Sequence, residues 1–158
     1  MTLRASKRLT PSGSAGGVLR WAFFDVGTDM KLGYTIIYVP DVAASLDFYT
    51  RAFGLARRFL HESGAYGELE TGDTTLAFAA HALGESNFAG GHVAAHASSQ
   101  PLGMEIGLVT DDVGAAHARA LEAGATELAA PATRPWGQVV SYVRCPDGSL
   151  VELCTPVG

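Results

Sequence analysis

QVVSYVRCPDGSLVELCTP, residues 138–156, reads as two strands joined by a tight turn. Val139, Val140, Tyr142 and Val143 carry the first strand, and Leu150, Val151, Leu153 and Cys154 the second. Between them, Pro146-Asp147-Gly148 supplies a fixed φ, a side-chain acceptor and a residue that tolerates positive φ, which is what a turn requires. Side chains alternate along a strand, so Leu150, Glu152 and Cys154 share one face. A carboxylate between apolar neighbours on a buried face needs a metal, a cation, a hydrogen-bond donor or a proton of its own. Glu152 is therefore the first candidate for function.

Working outward, the same pattern of elements occurs twice. Residues 31–39 are nearly all β-branched or aromatic from Tyr34 onward and predict a strand. Asp41 can cap a helix in which Val42, Leu46, Tyr49 and Phe53 fall on one face, and Gly54 sits where a helix ends. Residues 57–61, 66–70 and 74–80 then predict three strands with turns at Ser63-Gly64 and Gly72-Asp73. Residues 81–102, rich in Gly, Ala, Ser and His, predict a crossover or a lid. Residues 105–109 restart the series. Asp111-Asp112 caps a helix with Val113, Ala116 and Ala120 on one face, and Gly124 ends it. A short strand at 126–129, a loop at 131–137 and the closing hairpin complete it. The order is β-α-β-β-β in both halves, and Tyr34 aligns with Glu105 and Gly54 with Gly124. In that register Glu152 is matched by Ala77, or by Phe78 after a one-residue slip. The fold class is α+β: two βαβββ modules whose curved mixed sheets form a part-open barrel with a cavity. Module one spans 31–80, the linker 81–103 and module two 104–156.

Composition narrows the function classes. The chain has 158 residues and a formal net charge of −5, which argues against nucleic acid and anionic membrane as partners. No run of about 18 apolar residues predicts a membrane span. Cys145 and Cys154 are too few for a disulfide framework, and without an export signal they point to a reduced, cytoplasmic setting. Residues 1–29 differ: Arg4, Lys7, Arg8 and Arg20 outnumber Asp25 and Asp29, and residues 12–17 are linker-like. The expected domain is therefore 30–158, with 1–29 an extension lacking a core of its own.

Three stretches, YVPDVAASLDFYTRAFGL, LVTDDVGAAHARALEAGA and CPDGSLVELCTP, resemble the vicinal oxygen chelate superfamily. That group includes glyoxalase I, extradiol dioxygenases and bleomycin-resistance binding proteins. The resemblance covers residues 31–155. It implies a divalent metal (Zn, Ni, Mg, Mn or Fe) held by His or Glu from the first and last strand of each module. Those positions here are Tyr34, Ala77 (or Phe78), Glu105 and Glu152. Only Glu105 and Glu152 are metal donors, since a neutral phenol is a poor ligand and alanine is none, whereas catalytic zinc takes three protein donors. The expectation is a cavity without a complete metal centre.

Two inward carboxylates without a metal can bind a cationic or hydroxyl-rich ligand, share a proton, or serve acid–base chemistry. Tyr34 and Trp136, the latter on the loop beside the closing hairpin, are further ligand-binding candidates. His92 and His96 stand four apart and could chelate only if helical. His81 reads as a surface histidine at the end of a strand, His117 as solvated on a helix, Glu68 and Glu70 as a solvent face, and Arg144 as surface. The leading reading is a binding protein for a small cationic or aromatic molecule, similar to the bleomycin-resistance branch. The alternatives are a metal-dependent lyase, isomerase or dioxygenase using Glu105 and Glu152 as its catalytic and metal-binding residues, and a non-catalytic dimeric module. A homodimer is expected, because exposed sheet edges invite pairing.

Overall fold

The β-branched run after Gly33 forms β1 (Tyr34–Val39). The strand starts three residues later than the composition suggests, where Gly33 ends the supply of side chains that can pack. Asp41 caps α1 (Val42–Phe53), its side chain accepting from Ala44 N at 2.9 Å, and Gly54 closes the helix at φ 72°. β2 (Arg57–Leu60), β3 (Tyr66–Leu69) and β4 (Thr75–Ala80) follow. The connection 81–104 is partly helical, with α2 (His81–Asn87) and one 3-10 turn at Ala95–Ala97. Then come β5 (Glu105–Val109), α3 (Val113–Ala123) capped by Asp112, β6 (Thr126–Thr133), β7 (Val139–Arg144) and β8 (Leu150–Cys154). This computed structural model describes residues 30–158, so the reading of 1–29 as an extension lies outside the described residues.

The two halves share one topology. The sheets run β1-β4-β3-β2 and β5-β8-β7-β6. β1 pairs with β4 and β5 with β8 in parallel, and the other pairs are antiparallel. Tyr34 lies opposite Thr75, and Glu105 opposite Leu150, so Ala77 and not Phe78 occupies the slot of Glu152. β1 and β5 end their respective sheets and share no ladder, so the barrel is open rather than closed.

β6 runs on through Pro131, where a loop was expected. Proline removes one N–H, which costs nothing at an edge. β6 is that edge, and its register with β7 shifts between Ala129 and Ala132.

α1 and α3 lie on the same side of their sheets and pack against each other. Arg51 donates to Ala123 O and Arg119 to Ala52 O across that contact. One core serves both modules: Ile37, Leu46, Tyr49 and Phe78 from the first meet Val143 and Leu153 from the second. Each such side chain contributes about 1.5–3 kcal/mol on burial. Gly67 lets α1 sit close on β3, because a Cβ there would lie 2.6 Å from Leu46 Cδ1. With the helical side thus filled, every second residue of each strand faces the other way. That free face carries the candidate site. Among the described residues, no helix is long and apolar enough to cross a membrane.

Candidate functional site

On the free face of the second sheet, Glu105 and Gly107 of β5, Leu150, Glu152 and Cys154 of β8 and Tyr142 of β7 share one side. Glu105 is exposed and Glu152 half-buried. Hydrogen bonding to Glu152, followed by burial and by the charge of Glu152, holds the Glu105 carboxyl above the usual carboxylate range. One proton between the two oxygens removes the repulsion. Tyr142 stands opposite Glu152 in the ladder and its phenol donates to Glu152 Oε2 at 3.4 Å. Burial, then the two carboxylates, raises the Tyr142 phenol. Burial and Glu152 likewise raise the Cys154 thiol, which keeps it protonated and inert. Among the described residues, neither Glu105 nor Glu152 forms a salt bridge. A cavity of about 320 Å³ opens at the seam between β1 and β5, lined by Glu105, Gly107, Thr35, Thr71, Thr74 and Leu76.

The other sequence-predicted residues are not gathered there. Tyr34 lies on the free face of the first sheet, 58% exposed, with no hydrogen bond to either carboxylate among the described residues. Trp136 is 65% exposed, and its indole donates to Gln138 Oε1 at 2.8 Å. Gln138 in turn donates to Thr155 O. That chain ties the loop to the end of β8. Ala77 is fully buried and offers no donor.

The donor set does not fit the metal that the resemblance implies. Two carboxylates from one sheet, with a phenol and a methyl in the matching slots, fall short of the three protein donors of a catalytic site. Among the described residues, no group of three or more His, Cys, Asp or Glu side chains could hold a metal ion.

Several side chains contradict their sequence reading. Glu68 is buried rather than solvated, since Arg58 Nη1 donates to it at 3.1 Å and the Tyr66 phenol at 3.0 Å. The Arg58 Nε and Nη2 fork grips Glu70 at 2.8 and 2.9 Å, and Nη1 also reaches Thr75. Arg58 holds the Glu70 carboxyl below its usual range, and burial with Glu68 pushes the Tyr66 phenol up to about 12. His117 is buried and bonded to Glu127 at 2.8 Å, because β6 supplies a carboxylate beside α3. Arg144 donates to Ala95 O and Ser98 O instead of facing water. His81 is half-buried and bonded to both His92 and His96, neither of which lies on a helix that would place them for chelation. These pairs join residues distant in sequence, and no local pattern announces them. Only the Arg58/Glu68/Glu70 alternation on neighbouring strands was open to a register argument.

Comparison with known proteins gives a consistent result. Residues 31–153 match the family model described as Glyoxalase/Bleomycin resistance protein/Dioxygenase superfamily. No curated protein matches the sequence. Among solved structures, a glyoxalase-related enzyme from Fulvimarina pelagi is similar at TM-score 0.68 and 22% identity, covering 80% of this chain and 88% of that one. A glyoxalase/bleomycin resistance protein/dioxygenase family enzyme from Burkholderia phytofirmans PsJN is similar at TM-score 0.66 and 22% identity, covering 80% and 98%. TioX from Micromonospora sp. ML1 is similar at TM-score 0.58 and 18% identity, again over 80% and 98%. At these identities the structures establish the shared fold alone.

Proposed function

Because the chain belongs to the glyoxalase/bleomycin resistance protein/dioxygenase superfamily, we propose that it acts as a small-molecule binding protein of that group. Its ligand is an organic cation or a hydroxyl-rich molecule with a cationic centre, taken at Glu105 and Glu152 without a complete metal centre. The observation that carries this reading is that Glu105 and Glu152 stand on the same face of neighbouring paired strands, with no salt bridge to either among the described residues. An ammonium or guanidinium group replaces the proton between them and gains charge-assisted hydrogen bonds from both. Tyr142 fixes Glu152, and the hydroxyls of Thr35, Thr71 and Thr74 line the adjoining cavity. The binding form is a homodimer. Tyr34, Ile36 and Val109 leave apolar surface uncovered on the free faces, the kind of surface a second copy shields.

Isothermal titration with benzylammonium and guanidinium as probes tests this reading. Wild type binds and Glu152→Gln does not, with elution as a dimer in gel filtration coupled to light scattering. Elemental mass spectrometry of untagged protein supplies the contrary outcome. Near-stoichiometric divalent metal that disappears in Glu152→Ala would replace this reading with a metal-dependent lyase or isomerase.

A further inference from the structure

Three histidines of the connection between the modules meet beside Tyr38, at the end of β1. His81 opens α2, His92 lies between the helical turns, and His96 sits in the 3-10 turn. His81 Nδ1 is 2.7 Å from His92 Nε2, and His81 Nε2 is 3.2 Å from His96 Nδ1. The central ring thus uses both nitrogens, and its two neighbours approach different nitrogens. They do not converge on a single ion. The arrangement is a chain of hydrogen bonds.

Counting protons shows what the chain tolerates. Three neutral imidazoles carry three N–H groups. Two fill the two contacts, and the third goes to one of the two terminal nitrogens. His96 is exposed, so its Nε2–H is met by water. His92 Nδ1 is buried without a partner, and it stays a bare lone pair. The direction is then set: His92 donates to His81, and His81 donates to His96. A fourth proton has only two places to go. If both contacts persist, it becomes an unpaired N–H on buried His92 Nδ1, and leaving a buried donor unsatisfied is costly. Otherwise it takes a nitrogen that is already accepting, and a contact breaks.

The surroundings give that proton little help. Glu85 of α2 favours it, but burial and then the neighbouring rings dominate and hold His81 below its ordinary range. β1 presents the Tyr38 ring, 4.7 Å from His92, and α2 is followed by the Phe88 ring. β4 offers only alanines at its end, Ala79 and Ala80. The cationic Arg144 of β7 already binds the segment at Ala95 O and Ser98 O. The β7–β8 turn approaches the Ala95–His96 backbone at Gly148, and its Asp147 is engaged by Ser149.

We propose that His81, His92 and His96 form an acid-labile latch, a neutral imidazole chain that holds the connection between the modules against Tyr38 and releases it on taking up one further proton. Hydrogen exchange of peptides from 81–104 in the full chain tests this, corrected for the intrinsic pH dependence of exchange. Lowering the pH from about 7.5 to about 5 spans the histidine range and should reduce protection of this segment about tenfold, the effect of one lost hydrogen bond. β7 and β8 should keep theirs. His81→Phe keeps a ring but no nitrogen, so the segment is loose at both values. His96→Ala breaks one contact at the exposed end, leaves the core alone, and should loosen the segment at the higher pH with a smaller further change in acid. Protection that does not respond to pH in wild type overturns the latch. So does a wild-type pH response that survives in either variant.

Discussion

On the first sheet Glu68 stands opposite Ala77, and Arg58 reaches across to it and to Glu70. On the second sheet Tyr142 stands opposite Glu152, and Glu152 meets Glu105 instead of a cation. The two cross-strand pairs occupy the same place in the repeat. In one module the carboxylate sits on the third strand and is neutralised within its own sheet. In the other it sits on the fourth strand beside Glu105, with no salt bridge among the described residues. A duplicated scaffold has therefore not kept a duplicated site. The first face satisfies its own charges, while the second keeps a carboxylate pair without a salt bridge among the described residues, where the proposed ligand would bind.

Installing the second sheet's carboxylate in the first is the most severe way to break this contrast. Ala77→Glu puts a third acid next to Glu68 at a fully buried position. Overpacking and an uncompensated charge together should cost about 3 kcal/mol. Denaturant unfolding should show the loss growing as pH rises, because the new carboxyl is tolerated only when protonated. Arg58→Ala comes next. It leaves Glu68 with the Tyr66 phenol as its remaining side-chain partner, and the melting temperature should fall by several degrees, with the fall shrinking in acid as Glu70, whose carboxyl Arg58 holds low, protonates.

Glu105→Gln gives the smallest and opposite effect. Glu105 holds its proton more tightly in the folded chain than in the unfolded one. Its contribution to stability is present below the unfolded value of about 4.3 and is lost as pH rises through the folded value. The amide escapes that loss. The variant should therefore melt slightly higher than wild type at neutral pH, and the advantage should vanish near pH 4. A variant that melts lower at neutral pH would mean that the pair stabilises the fold, and the contrast between the sheets would fail.

What was legible in the sequence was local. Asp41 and Asp112 both cap the helices they precede, accepting from Ala44 N and Ala115 N, and the Pro146-Asp147-Gly148 turn joins β7 to β8. Such signals act over three or four residues, and their repetition revealed the modules and the slot of Glu152. Arg58 with Glu68, His117 with Glu127, and His81 with His92 and His96 were not legible. Each depends on which strands become neighbours and on how the connection folds back. The strand through Pro131 was missed for a related reason. Proline argues against a strand until the strand is known to be an edge. Trp136 reads from the sequence as an aromatic beside the closing hairpin, and its bond to Gln138, two residues away, is a local contact of the same kind.

The proposed function depends on the two carboxyls of the second sheet sharing a proton, with no salt bridge to either among the described residues. The most direct test is an NMR titration of the Glu105 side-chain carboxyl carbon in wild type and in Glu152→Gln. The account predicts that Glu105 titrates above the ordinary carboxylate range in wild type, and that the elevation shrinks when Glu152 loses its charge. Titration of Glu105 in the ordinary range in wild type, or an elevation untouched by Glu152→Gln, would contradict it.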